Sequence, residues 1–249
     1  MCGRFSLFAP AEDIEERFGA TFDYPHERRY NAAPGQALPV VTDETPERIQ
    51  AAEWGLIPTW ADDDGHAPIN ARAETLAEKP SFRDAVAGVE TAGESADPGE
   101  AAGRCLVLSD GFYEWGQDAD GERRPYRITR VDDEPFAMAG LWTRWRPPGT
   151  QTDLGEFAGD GPTAEPSLRT TFTVVTTEAN DAVGRIHDRM PVILARADER
   201  RWLSADRANA GHLLVPCPAA DLRVYPVSRK VNDPSNDVPS VVQEVDAPG

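Results

Sequence analysis

Cys105-Leu106-Val107-Leu108-Ser109-Asp110-Gly111-Phe112-Tyr113-Glu114-Trp115 reads as two short strands, Cys105–Leu108 and Phe112–Trp115, broken at Asp110-Gly111. Short apolar, β-branched or aromatic runs bounded by Gly, Pro or Asp are the mark of strands. The same texture recurs outward in both directions, at Arg4–Phe8, Leu38–Val41, Tyr126–Thr129, Phe136–Trp142, Thr171–Thr176, Val192–Leu194 and Leu222–Val227. Helical signals are fewer. Ala11–Phe18 pairs Ile14 with Phe18 at i,i+4 and stops at Gly19, a residue suited to the position after a helix. Ser81–Ala87 and Asp198–Leu203 carry weaker helical patterns. Many strands with occasional helices predict an α+β fold on mainly antiparallel sheet, and the lack of regular βαβ alternation argues against a Rossmann-type fold.

At 249 residues the chain is long enough for one large domain or two small ones. It shows no internal repeat and no long linker, so a single domain over residues 2–235 is expected. Residues 88–103 and 146–168 are rich in Gly, Pro and acids and read as insertions at the surface. The chain beyond Val231 is rich in Pro and Asp, and residues 236–249 are expected to form a loose tail.

No apolar run approaches the roughly 20 residues that span a bilayer. The start, Met1-Cys2-Gly3-Arg4-Phe5-Ser6, lacks a secretory pattern, so a cytoplasmic protein without a membrane partner is expected. Cys2, Cys105 and Cys217 match no zinc spacing, and their odd number argues against a disulfide framework. Cys105 and Cys217 read as small buried hydrophobes. The formal net charge of -18 by itself argues against nucleic acid as a partner. The acidic excess is uneven, however: residues 84–103 carry five acidic side chains and no base, and residues 147–166 carry four and no base. The positive charge is almost all arginine, with lysine only at Lys79 and Lys230.

Several polar groups suggest chemistry. Removal of Met1 would leave Cys2 with a free α-amine and a thiol on adjacent carbons. Such an aminothiol attacks an aldehyde through its amine, with a pKa near 8, and closes a five-membered thiazolidine through sulfur. The same residue could instead act as an N-terminal nucleophile towards amides, or lie at position 2 by accident. Trp54 and Trp60 flank a Pro-containing turn, as stacking platforms for unpaired bases or as core. Asn70 and Arg72, two residues apart in an extended segment, share one face; a helix-start segment with a surface salt bridge is the plainer alternative. Glu114 between two large aromatics suits an acid or base of raised pKa, or is an exposed strand carboxylate. His187, flanked by charge, suits proton transfer or a structural role.

These segments, in this order, resemble the SRAP family, the SOS response-associated peptidases also described as abasic-site processing proteins. The matching stretches are Met1-Cys2-Gly3-Arg4, Asn31-Ala32-Ala33-Pro34-Gly35-Gln36, Trp54 to Trp60, Asn70-Ala71-Arg72, Asp110 to Trp115, Ala139-Gly140-Leu141-Trp142, Thr176 to Asn180 and His187-Asp188-Arg189-Met190-Pro191. They span most of the chain, and the two acidic stretches fall between them. The resemblance implies a single α+β domain with a barrel-like, mainly antiparallel core, a few flanking helices and a groove for single-stranded DNA. It implies a covalent link between Cys2 and the ring-opened sugar of an abasic site, protecting the lesion, with lyase activity and autocatalytic removal of Met1 as accompanying reactions. Carried over, Cys2 is the nucleophile and Asn70 holds the α-amine or sugar. Glu114 is the general acid/base, and His187 stabilises or protonates the opened sugar oxygen and assists reversal. Arg4, Arg72 and Arg189 contact DNA phosphates with Thr176 assisting nearby, and Trp54 and Trp60 lie at the DNA surface. The chemistry calls for no metal and no cofactor, and a monomer is expected.

Two other functions compete. A peptidase or amidohydrolase would use Cys2 with Glu114 and His187 for acyl transfer and would turn over peptides. A non-catalytic single-strand binder would hold intact and abasic strands equally, with strong salt dependence. The lysine-poor acidic composition suits a cell of high internal salt, where Coulomb repulsion is screened. Raising the salt from dilute buffer to molar concentration is therefore expected to increase the thermal midpoint; a fully folded, active protein in dilute buffer that gains nothing from salt rules out this adaptation.

Overall fold

The strand-forming runs close on themselves. The structure is a computed structural model that describes residues 2–87, 101–117, 121–147, 168–205 and 207–246. In chain order its strands are β1 (Phe5–Leu7), β2 (Thr21–Phe22), β3 (Arg29–Ala32), β4 (Ala37–Thr42), β5 (Arg48–Trp54), β6 (Asn70–Arg72), β7 (Ala101–Ser109), β8 (Gly111–Gln117), β9 (Arg123–Arg130), β10 (Phe136–Trp145), β11 (Arg169–Glu178), β12 (Arg189–Pro191) and β13 (Leu222–Pro226). Short helices α1 (Ala11–Phe18), α2 (Arg83–Ala87), α3 (Arg196–Ser204) and α4 (Arg207–Ala210) lie between them. The architecture is α+β, as expected.

β11, β10, β7, β4 and β5 pair antiparallel in that order. A parallel pairing of β5 with β11, Glu53 opposite Thr171 and Trp54 opposite Phe172, closes the ring into a five-stranded barrel. Alternation along β10 divides two apolar layers. Phe136, Met138 and Trp142 point into the barrel with Cys105, Val107 and Phe172. Ala137, Ala139 and Leu141 point out, under Ile14, Phe18, Val86 and Trp202 from the helices. Gly140 leaves room inside the barrel for side chains of β7: a Cβ there would lie 2.7 Å from both Cys105 Sγ and Val107 Cγ2. Gly19, at φ 60°, ends α1 in the left-handed conformation that its sequence position suggested.

A second sheet, in the order β13-β9-β8-β1-β3, lays Phe5, Phe112 and Ile128 against this interior. Beside the strand pairing of β1, one carboxylate gathers the chain start. Asp110 accepts hydrogen bonds from Ser6 Oγ (2.6 Å), Phe8 N (2.6 Å) and Ala9 N (3.3 Å). Arg127 Nη2 donates to the same carboxylate at 3.0 Å, while its Nη1 donates to the Tyr225 hydroxyl at 2.7 Å. Both charged side chains are buried.

Three sequence expectations meet the structure at their edges. Of the acidic stretch 88–103, residues 88–100 lie outside the described residues, and Ala101–Gly103 are the start of β7 rather than loop. Of 146–168, residues 148–167 lie outside them. The expected loose tail is docked as far as Asp246: Val241 is buried, Val245 N donates to Pro226 O at 3.0 Å, and Asp237 accepts the backbone N–H of Asn31 at 2.9 Å. Short apolar residues hidden among Pro and Asp gave the tail more to bury than its composition suggested. No helix among the described residues is long and apolar enough to cross a membrane.

Removing one member of a buried ion pair strands the other's charge and costs about 3–5 kcal/mol. Asp110→Asn is therefore expected to lower stability by about that amount in urea unfolding, and a change below about 0.5 kcal/mol contradicts the role given to this node.

Candidate active site around Cys2

The antiparallel pairing of β1 with β8 sets Phe5 opposite Phe112 and Ser6 opposite Gly111. Tyr113 N donates to Arg4 O at 2.9 Å, so the register continues and puts Gly3 opposite Glu114. This delivers Cys2 to the buried end of the second sheet, where it is fully shielded from solvent. Asn70 meets it from the barrel side, its Nδ2 donating to Cys2 O at 2.8 Å. The other amide atom, Asn70 Oδ1, is buried with no hydrogen-bond partner among the described residues and is left as an acceptor beside Cys2.

Asn70 is held there by its neighbours. β6 pairs parallel with β11, Asn70 opposite Val174, and Trp54 Nε1 donates to Ile69 O at 2.9 Å. Trp54 is thus a core residue, 1% exposed and packed between Phe5 and Phe172. It cannot stack on a base, which corrects its expected place at a DNA surface. Its indole N–H, which a surface position would leave to water, is satisfied by backbone instead. Trp60, by contrast, is 59% exposed.

Glu114 is buried, and that burial raises its carboxyl above the usual range. Burial likewise pushes the Cys2 thiol up, and the neighbouring Glu114 carboxylate pushes it further the same way. The two groups are therefore electrostatically coupled, and the resting sulfur is a thiol. His187 follows the turn from Asn180, whose Oδ1 accepts the N–H groups of Ala182 and Val183, both at 3.1 Å. Ile186, just before it, packs where a Cβ on Gly116 of β8 would stand, 2.9 Å from Ile186 Cγ2. Arg189 N donates to His187 Nδ1 at 2.9 Å, which favours the neutral tautomer with its proton on Nε2. Asp188 Oδ1 lies 3.0 Å from the same nitrogen, placed to accept a hydrogen bond from it when the ring carries a proton there.

The arginines divide into two kinds. Arg4 turns inward: its Nη1 donates to Asn31 Oδ1 and Val231 O, both at 2.7 Å, and its guanidinium stands 6.0 Å from the centre of the Trp115 ring. Arg189 is taken by Glu74 at 2.7 and 3.0 Å and by Thr176 O at 2.7 Å. Thr176 itself is fully buried. Arg72 is exposed, and its pairing register places it opposite Thr176 on β11. The structure thus gathers Cys2, Asn70, Glu114 and His187, with Arg72 and Arg189 on the adjoining strands.

Sequence reasoning missed the residues that hold this group. Asn31 donates to Asp233 O and Asn236 O at 2.9 and 3.1 Å while accepting Arg4. Asn180 joins the His187 turn to Cys217 O at 2.9 Å. Trp115, whose Nε1 donates to Asn232 Oδ1 at 2.7 Å, forms the half-exposed rim beside Glu114. The signal for the two asparagines was their place inside quoted motifs, which does not reveal a partner distant in sequence. A cavity of about 340 Å³ opens elsewhere, against Arg130, His212 and Cys217, and contains none of the four central side chains. Among the described residues, no three His, Cys, Asp or Glu side chains are placed to hold a metal ion.

The chain is 36% identical over 252 residues to the abasic site processing protein YoqW of Bacillus subtilis, covering 98% of this chain and 99% of that one. It is 29% identical to the abasic site processing protein YedK of Escherichia coli, covering 98% and 100%. A crystal structure of a Bacteroides thetaiotaomicron protein superposes with a TM-score of 0.78 at 27% identity, over 98% of this chain and all of that one. The profile of the SOS response associated peptidase (SRAP) family matches residues 1–234, and the chain belongs to that family.

Proposed function

We propose that this protein processes abasic sites in single-stranded DNA by forming a covalent thiazolidine link through Cys2 after hydrolytic removal of Met1. The relatives named as abasic site processing proteins support the general reading. The observation that carries the specific chemistry is the state of the thiol, buried and pushed up by both burial and Glu114. A cysteine peptidase needs a thiolate ready to attack. An aminothiol that captures an aldehyde needs its amine first and its sulfur last.

The sequence of steps balances as follows. The uncharged α-amine of Cys2 adds to C1′ of the ring-opened sugar and gives a carbinolamine. Glu114, whose burial favours the protonated form, donates a proton to the leaving hydroxyl, and water departs to leave an imine. The Cys2 sulfur then adds to the imine carbon while its proton passes to the Glu114 carboxylate, whose charge acts on the thiol. Aldehyde and aminothiol thereby become thiazolidine and water. His187, with its proton on Nε2, donates to the opened sugar oxygen. Asn70 Oδ1 accepts from the amine and keeps its lone pair directed at the sugar. Elimination from the imine before sulfur closes the ring is the accompanying lyase path.

Incubation with a single-stranded oligonucleotide carrying one abasic site is expected to give an adduct, by intact mass spectrometry, of the sum of the protein lacking Met1 and the DNA minus one water. Cys2→Ala loses the heat-stable adduct and keeps noncovalent binding. A heat-stable adduct that survives in Cys2→Ala sinks the assignment, and turnover of a peptide panel without any adduct turns it to the peptidase reading.

Glu114 gives a second test through stability. A carboxyl whose folded pKa lies above its unfolded value binds protons more readily in the folded state. The contribution of Glu114 to stability is then fully present below the ordinary carboxyl value and is lost as pH rises through the raised folded value. Glu114→Gln is expected to raise the thermal midpoint at pH 8, to lose that advantage below about pH 4, where both states are protonated, and to slow adduct formation. A variant that captures abasic DNA at the wild-type rate removes Glu114 from the mechanism.

A further inference from the structure

Arg189 lies at a junction. Its backbone N–H fixes His187 Nδ1 at 2.9 Å. Its side chain spans to two other strands, donating to Thr176 O of β11 at 2.7 Å and gripping both carboxylate oxygens of Glu74 at 2.7 and 3.0 Å. Glu74 sits in the turn Ala73–Thr75 that directly follows β6, the strand bearing Asn70. Two side chains of the candidate active site, Asn70 and His187, are therefore tied to each other through one bidentate ion pair.

The planar fork of an arginine fits a carboxylate and a phosphate equally well. Here the fork is filled from within the protein. Glu74 is nearly half exposed while Arg189 is mostly covered, and the exposed Arg72 stands on the same short strand segment. Bonding to Arg189 holds the Glu74 carboxyl below the usual range, so it remains an anion at neutral pH. An anion at this position repels a DNA backbone and withholds a cation from it. In a protein of net charge -18 that reads a polyanion, such a loss of affinity calls for a return in geometry.

We propose that Glu74 is a positioning residue: through Arg189 it locks the His187 segment to the Asn70 strand and fixes the tautomer of His187, while keeping the Arg189 fork from DNA phosphate. The inference rests on the reading of the protein as one that captures abasic single strands. It assigns Glu74 two effects of opposite sign. Glu74 weakens encounter with DNA and speeds the covalent step that follows.

The test compares wild type with Glu74→Gln. On an undamaged single strand the variant is expected to bind more tightly, with the slope of log affinity against log salt steeper by about 0.7, the value for one added phosphate contact on a single strand. On an abasic strand at saturating concentration its first-order capture rate is expected to fall about tenfold, the scale of loss when a reacting group is slightly misplaced. In ¹⁵N NMR the wild-type His187 ring is expected in the Nε2–H form and the variant's ring in a tautomeric mixture. A variant that loses affinity and rate together shows Glu74 to be a plain stabilising strut and overturns the proposal. So does an unchanged His187 spectrum, or an unchanged rate. Wild type that captures no abasic strand defeats the functional reading instead, while the spectrum still decides the role of Glu74.

Discussion

The structure depends on holding still the part of a chain that ordinarily frays. A terminus has neighbours on one side only and few contacts to offset its entropy. Here Asp110 collects the N–H groups of Phe8 and Ala9 and the Ser6 hydroxyl, and Arg127 balances its charge from β9. Gly111 lets Arg127 come this close, since a Cβ there would stand 2.6 Å from its guanidinium. On the other side Arg4 is locked into Asn31 and the carbonyl of Val231. The segment from Arg4 to Ala9 is thereby fixed to both neighbouring strands, and Cys2 inherits its position from them. The docked chain end serves the same purpose, because Asn31 is itself braced by residues 233–236.

That rigidity permits an electrostatically unfavourable site. Glu114 is a buried carboxyl on the core side of a sheet, and its burial opposes folding whenever it is ionised. The thiol beside it is deprived of its ionised form by the same burial. Neither arrangement helps stability. Both suit the proposed reaction, in which a proton must be given to a leaving hydroxyl and taken from sulfur at a later moment, by groups that are buried.

Much of the fold was legible because its determinants are local. α1 occupies the residues read for it, and Phe136–Trp142 lies within β10. β5, β6 and β12 were less visible: Asn70–Arg72 and Arg189–Pro191 are three residues each and are strands because β11 lies beside them. Val192–Leu194 was read as a strand, yet only Ile193 forms a bridge, to Met138, while the ladder with β11 sits just before it. Barrel closure rests on the parallel contact of β5 with β11, more than a hundred residues apart, and no local pattern announces it. At the site, chemical type was readable from residue identity, whereas exposure was not. Trp54 and Trp60 flank one turn and have opposite fates, decided by whether Phe5 and Phe172 lie opposite.

The charge of the protein also takes on a consistent meaning. Arg29, Arg130, Arg144, Arg169, Arg189, Arg223 and Arg229 each meet a carboxylate, so the surface is acidic and much of its positive charge is already neutralised. A protein that held DNA by counterion release alone would need those cations free. Covalent capture changes the requirement. Noncovalent binding then has only to last long enough for an aldehyde to meet an amine, after which the bond, not the ionic atmosphere, keeps the strand. Under the proposed chemistry an acidic exterior discourages residence on intact strands, which offer no aldehyde, and leaves the reaction itself to discriminate. Selectivity for the lesion then lies in Cys2 and its neighbours rather than in the affinity of the surface.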